Sequence, residues 1–275
     1  MSLPVVIEWT VHPEIISLGP LSIRWYGILF ATGFGLGFVV TQRIFRLEKV
    51  PDSWLDPLLL YMVLGGLIGA RLGHVFFYDW AEFQHKLWEI PMIWRGGLAS
   101  HGGAIGTLLA FGLFSWKISK KSMFWVMDRT APAGAIGAMF IRLGNFFNHE
   151  IVGIQTNVPW AVSFQHNVHE FVHVPRHPAQ LYEAIAYLFI FVILWIVYRR
   201  WQGSSYPGLL SGLYLVLVFS ARFGLEFLKE NQVAFEEGMR LNMGQWLSLP
   251  LIILGCCFIS YALFKRGLGD KKVNN

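Results

Sequence analysis

The sequence predicts an all-α polytopic membrane protein with seven transmembrane helices, and three observations support this class. Of its 275 residues, 55% are hydrophobic and 14% are charged, and the mean hydropathy is +0.48. A soluble domain of this size carries about 25% charged residues. Seven apolar stretches approach or exceed the roughly 20 residues that a helix needs to cross a bilayer. Basic residues, finally, gather in alternate connections between these stretches, as they do in multi-pass proteins.

The predicted spans follow one another along the whole chain, so that residues 1–275 form a single integral membrane domain. They cover about residues 21–42, 55–78, 97–116, 123–147, 180–198, 208–228 and 243–264. The longest connection, residues 149–178, is predicted to form a small head segment outside the cytoplasm.

Basic residues give the predicted orientation. Four groups supply twelve of the 22 lysines and arginines: Arg43, Arg46 and Lys49; Lys117, Lys120 and Lys121; Arg199 and Arg200; and Lys265, Arg266, Lys271 and Lys272. The positive-inside rule assigns all four groups to the cytoplasm. The amino terminus is therefore expected outside, on the periplasmic side, and the carboxyl terminus inside.

Several other classes of feature are not expected. Cys256 and Cys257 are adjacent in an apolar run, which predicts neither a disulfide framework nor a metal site. The first twenty residues lack the basic start and apolar core of a secretory signal, so they are expected to be retained. The spans show no inverted repeat of the kind found in many transporters. No metal, cofactor or nucleic-acid partner is predicted.

Arginines and a histidine are predicted to converge at one depth in the membrane. At 1.5 Å per residue, Arg142 lies about 30 Å from the predicted cytoplasmic end of its span. The corresponding distance is about 24 Å for Arg71 and His101 and about 22 Å for Arg222. Tyr26 begins a span on the outer side and reaches the same level. A charge at the centre of a helix costs about 2.5 kcal/mol or more, so each arginine needs a partner or a function. The alternative is that these groups only join helices to one another.

Helical spacing indicates what this cluster binds. Arg142, Asn145 and His149 can share one helix face, and Arg222 and Glu226 are spaced for an i, i+4 ion pair. Guanidinium groups match phosphate oxygens bidentately and keep their charge in a partly dry site. Since a phospholipid headgroup lies at this depth, the cluster is predicted to bind its phosphate.

His101 is the candidate general base. It stands in "SHGGAIG", where the glycines allow another backbone or a lipid chain to approach closely. Histidine titrates near neutral pH, which suits it to proton transfer. The alternative is an ordinary hydrogen-bonded core histidine. Arg176 and His177, in "RHPAQLYE", precede Pro178, which is predicted to open a helix.

Ordered motifs along nearly the whole chain resemble those of the bacterial prolipoprotein diacylglyceryl transferases. The resemblance runs from about Leu18 to Phe264. It rests on "RWYG" at 24–27, "GARLGHVFFY" at 69–78, "HGGAIG" at 101–106, "RLGNFFNHEIVG" at 142–153, "RHPAQLYE" at 176–183, "RFGLEF" at 222–227 and "MGQWLS" at 243–248. Each motif alone is weak, but their order is highly specific.

The resemblance implies a seven-helix enzyme of the bacterial cytoplasmic (inner) membrane. Its substrates would be phosphatidylglycerol, a membrane lipid, and a prolipoprotein whose signal peptide carries a lipobox cysteine. The diacylglyceryl group would pass to the cysteine thiol as a thioether, with release of glycerol phosphate. By position, the implied functional residues are Tyr26, His101, Arg142, Asn145, Asn148, Glu150, Gly153, Arg222 and Glu226.

Three positions depart from the family pattern. Ile141 stands where glycine is usual, Val218 where many members have tyrosine, and Lys229 where arginine is frequent. Lysine is not a planar fork, so no bidentate contact is expected from position 229. His149 matches nothing fixed in the family and is predicted to be a surface histidine.

The predicted chemistry is displacement at carbon by the cysteine thiolate of the substrate, since the thiolate is the nucleophilic form. His101, Arg142 and Arg222 are the predicted catalytic residues. Substrate-binding roles are predicted for Tyr26, Arg71, Asn145, Asn148, Glu150, Gly153 and Glu226. One alternative is a phosphatase or phosphotransferase acting on a lipid headgroup, which would bind the phosphate with the same arginines. A transporter is the other alternative and would need repeat symmetry.

Overall fold

A computed structural model describes residues 6–19, 21–167, 174–201, 206–230 and 238–273. The chain divides into two compact units, one formed by Met1–Thr41 with Asp128–Asn275 and the other by Gln42–Met127. The side chains of three predicted cytoplasmic residues, Arg266, Lys271 and Lys272, lie outside the described part. Residues 168–173 of the predicted head segment do so as well.

Eight α-helices account for most of the described chain. They are α1 (Trp25–Glu48), α2 (Leu55–Phe77), the short α3 (Trp80–Phe83), α4 (Ser100–Phe114), α5 (Met123–Phe147), α6 (Ala179–Trp201), α7 (Leu209–Leu225) and α8 (Met243–Val273). Each of the seven predicted spans overlaps one of these helices, and the short α3 overlaps none of them. The helix start predicted at Pro178 is confirmed, because α6 begins at the next residue.

Within the described residues, five helices are long and apolar enough to cross a membrane: Trp25–Glu48, Asp52–Phe77, Ala179–Trp201, Leu209–Leu228 and Met243–Lys265. The remaining two predicted spans are not among them. Helix α4 has 15 residues and continues only into a π-helical turn, and α5 carries Asp128, Arg129 and Arg142. The fold is nevertheless that of a predominantly helical integral membrane protein.

The chain also contains short β-strands, which the all-α prediction did not include. They are β1 (Ile7–Trp9), β2 (Glu14–Leu18), β3 (Leu21–Arg24) and β4 (Val162–Phe164). The first predicted span is wrong at its start, because residues 21–24 pair with β2 as an antiparallel hairpin and the helix begins only at Trp25.

The other sheet joins the amino-terminal segment to the predicted head segment. Strands β1 and β4 pair in parallel, with Ile7 opposite Val162 and Trp9 opposite Phe164. Phe164 lies in a buried apolar cluster with Phe146, and Trp9 packs against this cluster. Burial of these aromatic side chains removes a large apolar area from water and fixes residues 7–9 beside the carboxyl-terminal end of α5.

In the unit formed by Gln42–Met127, glycines allow α2 and α4 to pack in backbone contact. A Cβ added at Gly69 would lie 2.4 Å from the carbonyl oxygen of Gly102, and one added at Gly106 would lie 2.0 Å from that of Gly65. Membrane helices associate through this kind of small-residue contact, because lipid gives no hydrophobic drive for association. We call this contact, formed by Gly65, Gly69, Gly73, Gly102 and Gly106, the glycine seam.

In the other unit, a buried aspartate holds the start of α7. Asp128 accepts hydrogen bonds from the backbone N–H groups of Gly208 (2.7 Å) and Ser211 (2.9 Å) and from the Ser211 hydroxyl (2.6 Å). The first N–H groups of a helix lack intrahelical partners and attract negative charge. Asp128 thus caps α7 from a neighbouring helix.

Candidate active site

Arg142 and Arg222 belong to one chain of ion pairs in the unit formed by Met1–Thr41 and Asp128–Asn275. Arg142 Nε lies 3.0 Å from Glu183 Oε2, and Lys229 Nζ lies 3.1 Å from both Glu183 Oε1 and Glu226 Oε2. Arg222 Nε completes the chain, 4.0 Å from Glu226 Oε2. We call these five residues the ion chain. Its directly paired groups comprise three cations and two carboxylates, which leaves one net positive charge.

Burial differs along the ion chain. The side chains of Glu183 and Lys229 are 0% and 1% exposed, whereas that of Arg222 is 34% exposed. A buried charge needs close partners, and the central residues have them. Arg222 has the longest ion-pair distance and the most open side chain, so its guanidinium is the group most available to an anion.

Amide side chains extend this arrangement from Arg142 to Glu150. Arg142 Nη1 donates to Asn145 Oδ1 (3.1 Å), and Asn145 Nδ2 donates to Glu150 Oε1 (2.7 Å). The prediction that Arg142 and Asn145 share one helix face is therefore confirmed. His149, predicted on the same face, lies beyond the end of α5. Asn148 Nδ2 also donates to Glu150 Oε1, at 3.4 Å, and Gln180 Nε2 donates to the backbone oxygen of Glu150 at 2.6 Å.

Gly153 lies so close to His177 and Leu228 that a side chain at this position would collide with both. Its N–H donates to the carbonyl oxygen of His177 (3.0 Å), and it pairs with Lys229 as an antiparallel bridge. An added Cβ would lie 2.5 Å from the His177 oxygen and 2.7 Å from the Leu228 oxygen. Because Lys229 follows Leu228 directly, the absence of a side chain at Gly153 helps to hold Lys229 in the ion chain.

Tyr26 packs against α5 near Arg142. A Cβ added at Gly144 would lie 2.8 Å from Cδ2 of the Tyr26 ring, so the ring rests on the helix backbone. Phe30, one turn further along α1, stacks with Tyr26 at a centroid distance of 6.2 Å. The Tyr26 ring is thereby held against α5, the helix that carries Arg142 and Asn145.

His101 lies in the other unit, in the first turn of α4. Its imidazole is exposed and contacts two aromatic rings, Phe77 at 5.6 Å and Tyr78 at 5.7 Å between centroids. His74 stacks with Tyr78, with ring centroids 5.9 Å apart, and its Nε2 lies 2.8 Å from Asp79 Oδ2. The aromatic contacts orient His101 while leaving it accessible.

Arg71 forms hydrogen bonds to the backbone of the connection between α2 and α4. Its guanidinium donates to the carbonyl oxygens of Glu89 (2.8 Å), Ile90 (2.7 Å) and Gly96 (2.7 Å) and lies 4.9 Å from the centre of the Phe83 ring. These contacts give Arg71 a structural role in shaping the connection. The substrate contact expected of it stays a prediction.

Four members of the candidate site were not predicted from the sequence. Glu183 and Lys229 are the centre of the ion chain, Tyr187 places its hydroxyl 3.3 Å from Glu183 Oε1, and Gln180 holds Glu150. Glu183 and Tyr187 share the i, i+4 spacing of one helix face, which could have indicated a polar stripe on α6. Lys229 follows Glu226 by three residues, a spacing that could have indicated their ion pair. Its contact with Glu183 on α6 left no such signal.

The prediction that His149 is a surface residue is wrong. Its side chain is 0% exposed, because the residue follows the end of α5 with φ 55° and turns back toward the amino-terminal segment. Its Nε2 lies 2.7 Å from the Val11 carbonyl oxygen, and Asn167 Nδ2 donates to the His149 carbonyl oxygen at 2.6 Å. His149 therefore joins residues near β1 to the predicted head segment.

Acidic pH is expected to weaken this junction. Burial lowers the pKa of His149 below its ordinary value, the Val11 carbonyl opposes that shift, and His166 and His12 add to it. The unfolded chain therefore takes up the proton first, and the contribution of His149 to stability, complete above its ordinary pKa, falls as the pH drops toward the folded value. Protection of residues 7–12 from hydrogen exchange, corrected for the pH dependence of the intrinsic exchange rate, should decrease between about pH 7 and pH 5. His149→Gln should remove most of this pH dependence, and an unchanged dependence would contradict the assignment.

The fold and this cluster define an integral membrane protein that carries a buried chain of ionic groups among its helices. A model of the family described as prolipoprotein diacylglyceryl transferase matches residues 13–261. The chain belongs to this family.

Curated relatives match over nearly their full length. A protein of Chloroherpeton thalassium is 45% identical over 253 residues, covering 92% of this chain and 93% of the relative. A protein of Tolumonas auensis is 46% identical over 250 residues (91% and 95%), and one of Bacteroides fragilis is 41% identical over 267 residues (93% and 95%). All three are named phosphatidylglycerol–prolipoprotein diacylglyceryl transferase.

Proposed function

We propose that this chain transfers the diacylglyceryl group of phosphatidylglycerol to the thiol of the lipobox cysteine of prolipoproteins, the first step of lipoprotein maturation. The observation that carries the proposal is that Arg142 and Arg222 belong to one ion chain with a net positive charge. Such a pair suits the phosphate of a lipid headgroup. The names of the relatives supply the identity of both substrates.

The proposed setting is the bacterial cytoplasmic membrane, crossed seven times, with the amino terminus outside and the carboxyl terminus in the cytoplasm. The distribution of basic residues supports this orientation. Residues 149–178 would form the small outer head segment. In this arrangement the ion chain lies near the outer headgroups, where the phosphate of the substrate is found.

The proposed reaction is a displacement at carbon. The cysteine thiolate attacks the diacylglyceryl carbon that bears the phosphate, a carbon–sulfur bond forms, and the bond between that carbon and the phosphate oxygen breaks. The thiol proton passes to His101 as general base. Glycerol phosphate leaves with one more negative charge than the diester carried, so a cationic site favours the transition state over the ground state.

Each remaining residue has a proposed role in this step. Arg142 and Arg222 bind the phosphate and stabilise the growing charge on the leaving group. Asn145, Asn148 and Tyr26 orient the headgroup, and Glu150 holds the two asparagines through its carboxylate.

Glu226 and Gly153 are proposed to position other residues of the site rather than to contact the substrate. Glu226 orients Arg222, and Gly153 keeps Lys229 in the ion chain.

The function is tested by mixing the purified protein with phosphatidylglycerol and a lipobox peptide that contains one cysteine. The peptide is expected to gain the mass of one diacylglyceryl group as a thioether, with one glycerol phosphate released for each modified peptide. A peptide with serine in place of the cysteine is the matched control and should gain no mass.

Release of glycerol phosphate without any gain in peptide mass would instead indicate hydrolysis of the headgroup. That outcome would support the phosphatase alternative and contradict the proposed transfer.

His101→Gln is expected to lower kcat by about a hundredfold or more, the usual effect of losing a general base. Glutamine keeps a polar side chain beside Phe77 and Tyr78 but cannot accept the proton. His85→Gln alters an exposed histidine of the same unit and should keep wild-type activity. Near-wild-type turnover by His101→Gln would remove His101 from the mechanism.

A further inference from the structure

Two buried amide oxygens beside Glu150 have no hydrogen-bond partner among the residues that the structure describes. They are Oε1 of Gln180 and Oδ1 of Asn148. The Gln180 side chain is 0% exposed. More than nine tenths of buried polar groups in folded proteins have a hydrogen-bond partner. Two buried acceptors without one beside the same residue therefore indicate a binding site for a ligand that donates hydrogen bonds.

The contacts around Glu150 set the orientation of both amides. Gln180 Nε2 donates to the Glu150 backbone oxygen at 2.6 Å, and Asn148 Nδ2 lies 3.4 Å from Glu150 Oε1. Rotating either amide by half a turn would place an oxygen against an oxygen. The groups left over are therefore acceptors, and their complement is a ligand that donates hydrogen bonds.

This pair of acceptors lies close to the proposed phosphate site. One side chain, that of Asn145, links Glu150 to Arg142 through hydrogen bonds of 2.7 and 3.1 Å. Gln180 also precedes Glu183 by three residues on α6, so the two side chains lie on one face of that helix. A ligand that reaches both places needs a phosphate and, a few bonds away, hydroxyl groups.

We propose that Gln180 and Asn148 form a hydroxyl-binding subsite that recognises the terminal glycerol of the lipid headgroup. The inference rests on the proposed function and adds to it the residues that select the headgroup. The two hydroxyl groups of the glycerol would donate to Gln180 Oε1 and Asn148 Oδ1, while the phosphate lies against Arg142. A headgroup without hydroxyls would leave both acceptors buried and unpaired, and sites built to bind a hydroxyl reject analogues that lack it.

The test compares phosphatidylglycerol with phosphatidylpropanol, which has the same phosphodiester and a headgroup of the same length without hydroxyls. With the wild-type protein, kcat/KM for transfer to the lipobox peptide should be about 10- to 100-fold higher for phosphatidylglycerol. Equal values for the two lipids would overturn the inference without any variant. If the wild-type protein transferred nothing from phosphatidylglycerol, the proposed function would fail, and this inference with it.

Variants then assign the preference to the subsite. Gln180→Met should lower kcat/KM for phosphatidylglycerol far more than for phosphatidylpropanol. The ratio of the two kcat/KM values should therefore fall by about tenfold. Asn148→Ala should lower this ratio as well. A general structural defect would lower both values equally and leave the ratio unchanged, which would overturn the assignment.

Gln245→Met is the matched control for these variants. Gln245 is also buried, but its amide is already satisfied by Asn242 and Phe223, so the ratio should stay at the wild-type value.

Discussion

Arg142→Lys and Arg222→Lys are each expected to lower kcat for diacylglyceryl transfer by about a hundredfold or more. Lysine keeps the charge but lacks the planar fork that lets Arg142 contact Glu183 and Asn145 at once. Arg222 has a 4.0 Å ion pair with Glu226 and an open side chain, so its variant should fold normally while losing the proposed bidentate contact. Single-turnover rates with phosphatidylglycerol and a lipobox peptide measure the effect.

Arg46→Lys is the matched control for these substitutions. Arg46 forms an exposed ion pair with Asp52 in the other unit, and exposed pairs contribute little to stability. Its activity should equal that of the wild-type protein. Full activity in both Arg142→Lys and Arg222→Lys would refute the proposed binding of the phosphate by these two arginines.

Gly106→Ala is expected to destabilise the unit formed by Gln42–Met127 by about 3 kcal/mol or more, or to prevent its folding. The added Cβ would lie 2.0 Å from the Gly65 carbonyl oxygen and 2.9 Å from Gly69 Cα. Since both neighbours are backbone atoms, neither can yield without moving α2 away from α4. His101 precedes the glycine seam by one residue on α4, so activity should fall together with stability.

Gly112→Ala tests the same chemical change on the same helix without the contact. An added Cβ at Gly112 meets no atom within 4 Å. Alanine favours a helix over glycine by about 1 kcal/mol, so this variant should be as stable as the wild-type protein or slightly more stable. Thermal unfolding in detergent compares the two variants. Equal stability would show that the glycine seam does not determine the packing of α2 and α4.

Much of the helical framework followed from patterns along the sequence. Long apolar runs predicted the long helices because membrane helices must be apolar over a fixed length. The Arg142–Asn145 contact was predictable because it lies within one helix, where spacing alone places the side chains together. The β2–β3 hairpin was missed because residues 21–24 continue directly into an apolar helix and share its composition.

Contacts between distant segments were beyond the reach of sequence reasoning. Lys229 was noted only as a departure from the family pattern, yet its ammonium joins two carboxylates from different segments. Lys229 is also bridged to Gly153, which lies far away in the sequence. His149 was misassigned because a left-handed turn after α5 reverses the direction that helical spacing implies.

In the proposed reaction, the thiolate attacks carbon while Arg142 and Arg222 stabilise the departing phosphate. The most direct test uses phosphatidylglycerol that carries a heavy oxygen isotope in the atom joining the diacylglyceryl carbon to phosphorus. Attack at carbon breaks the bond between that carbon and the labelled oxygen, so all of the label should appear in glycerol phosphate and none in the lipid attached to the peptide. Recovery of the label in a diacylglycerol product would show attack at phosphorus and would contradict displacement at carbon.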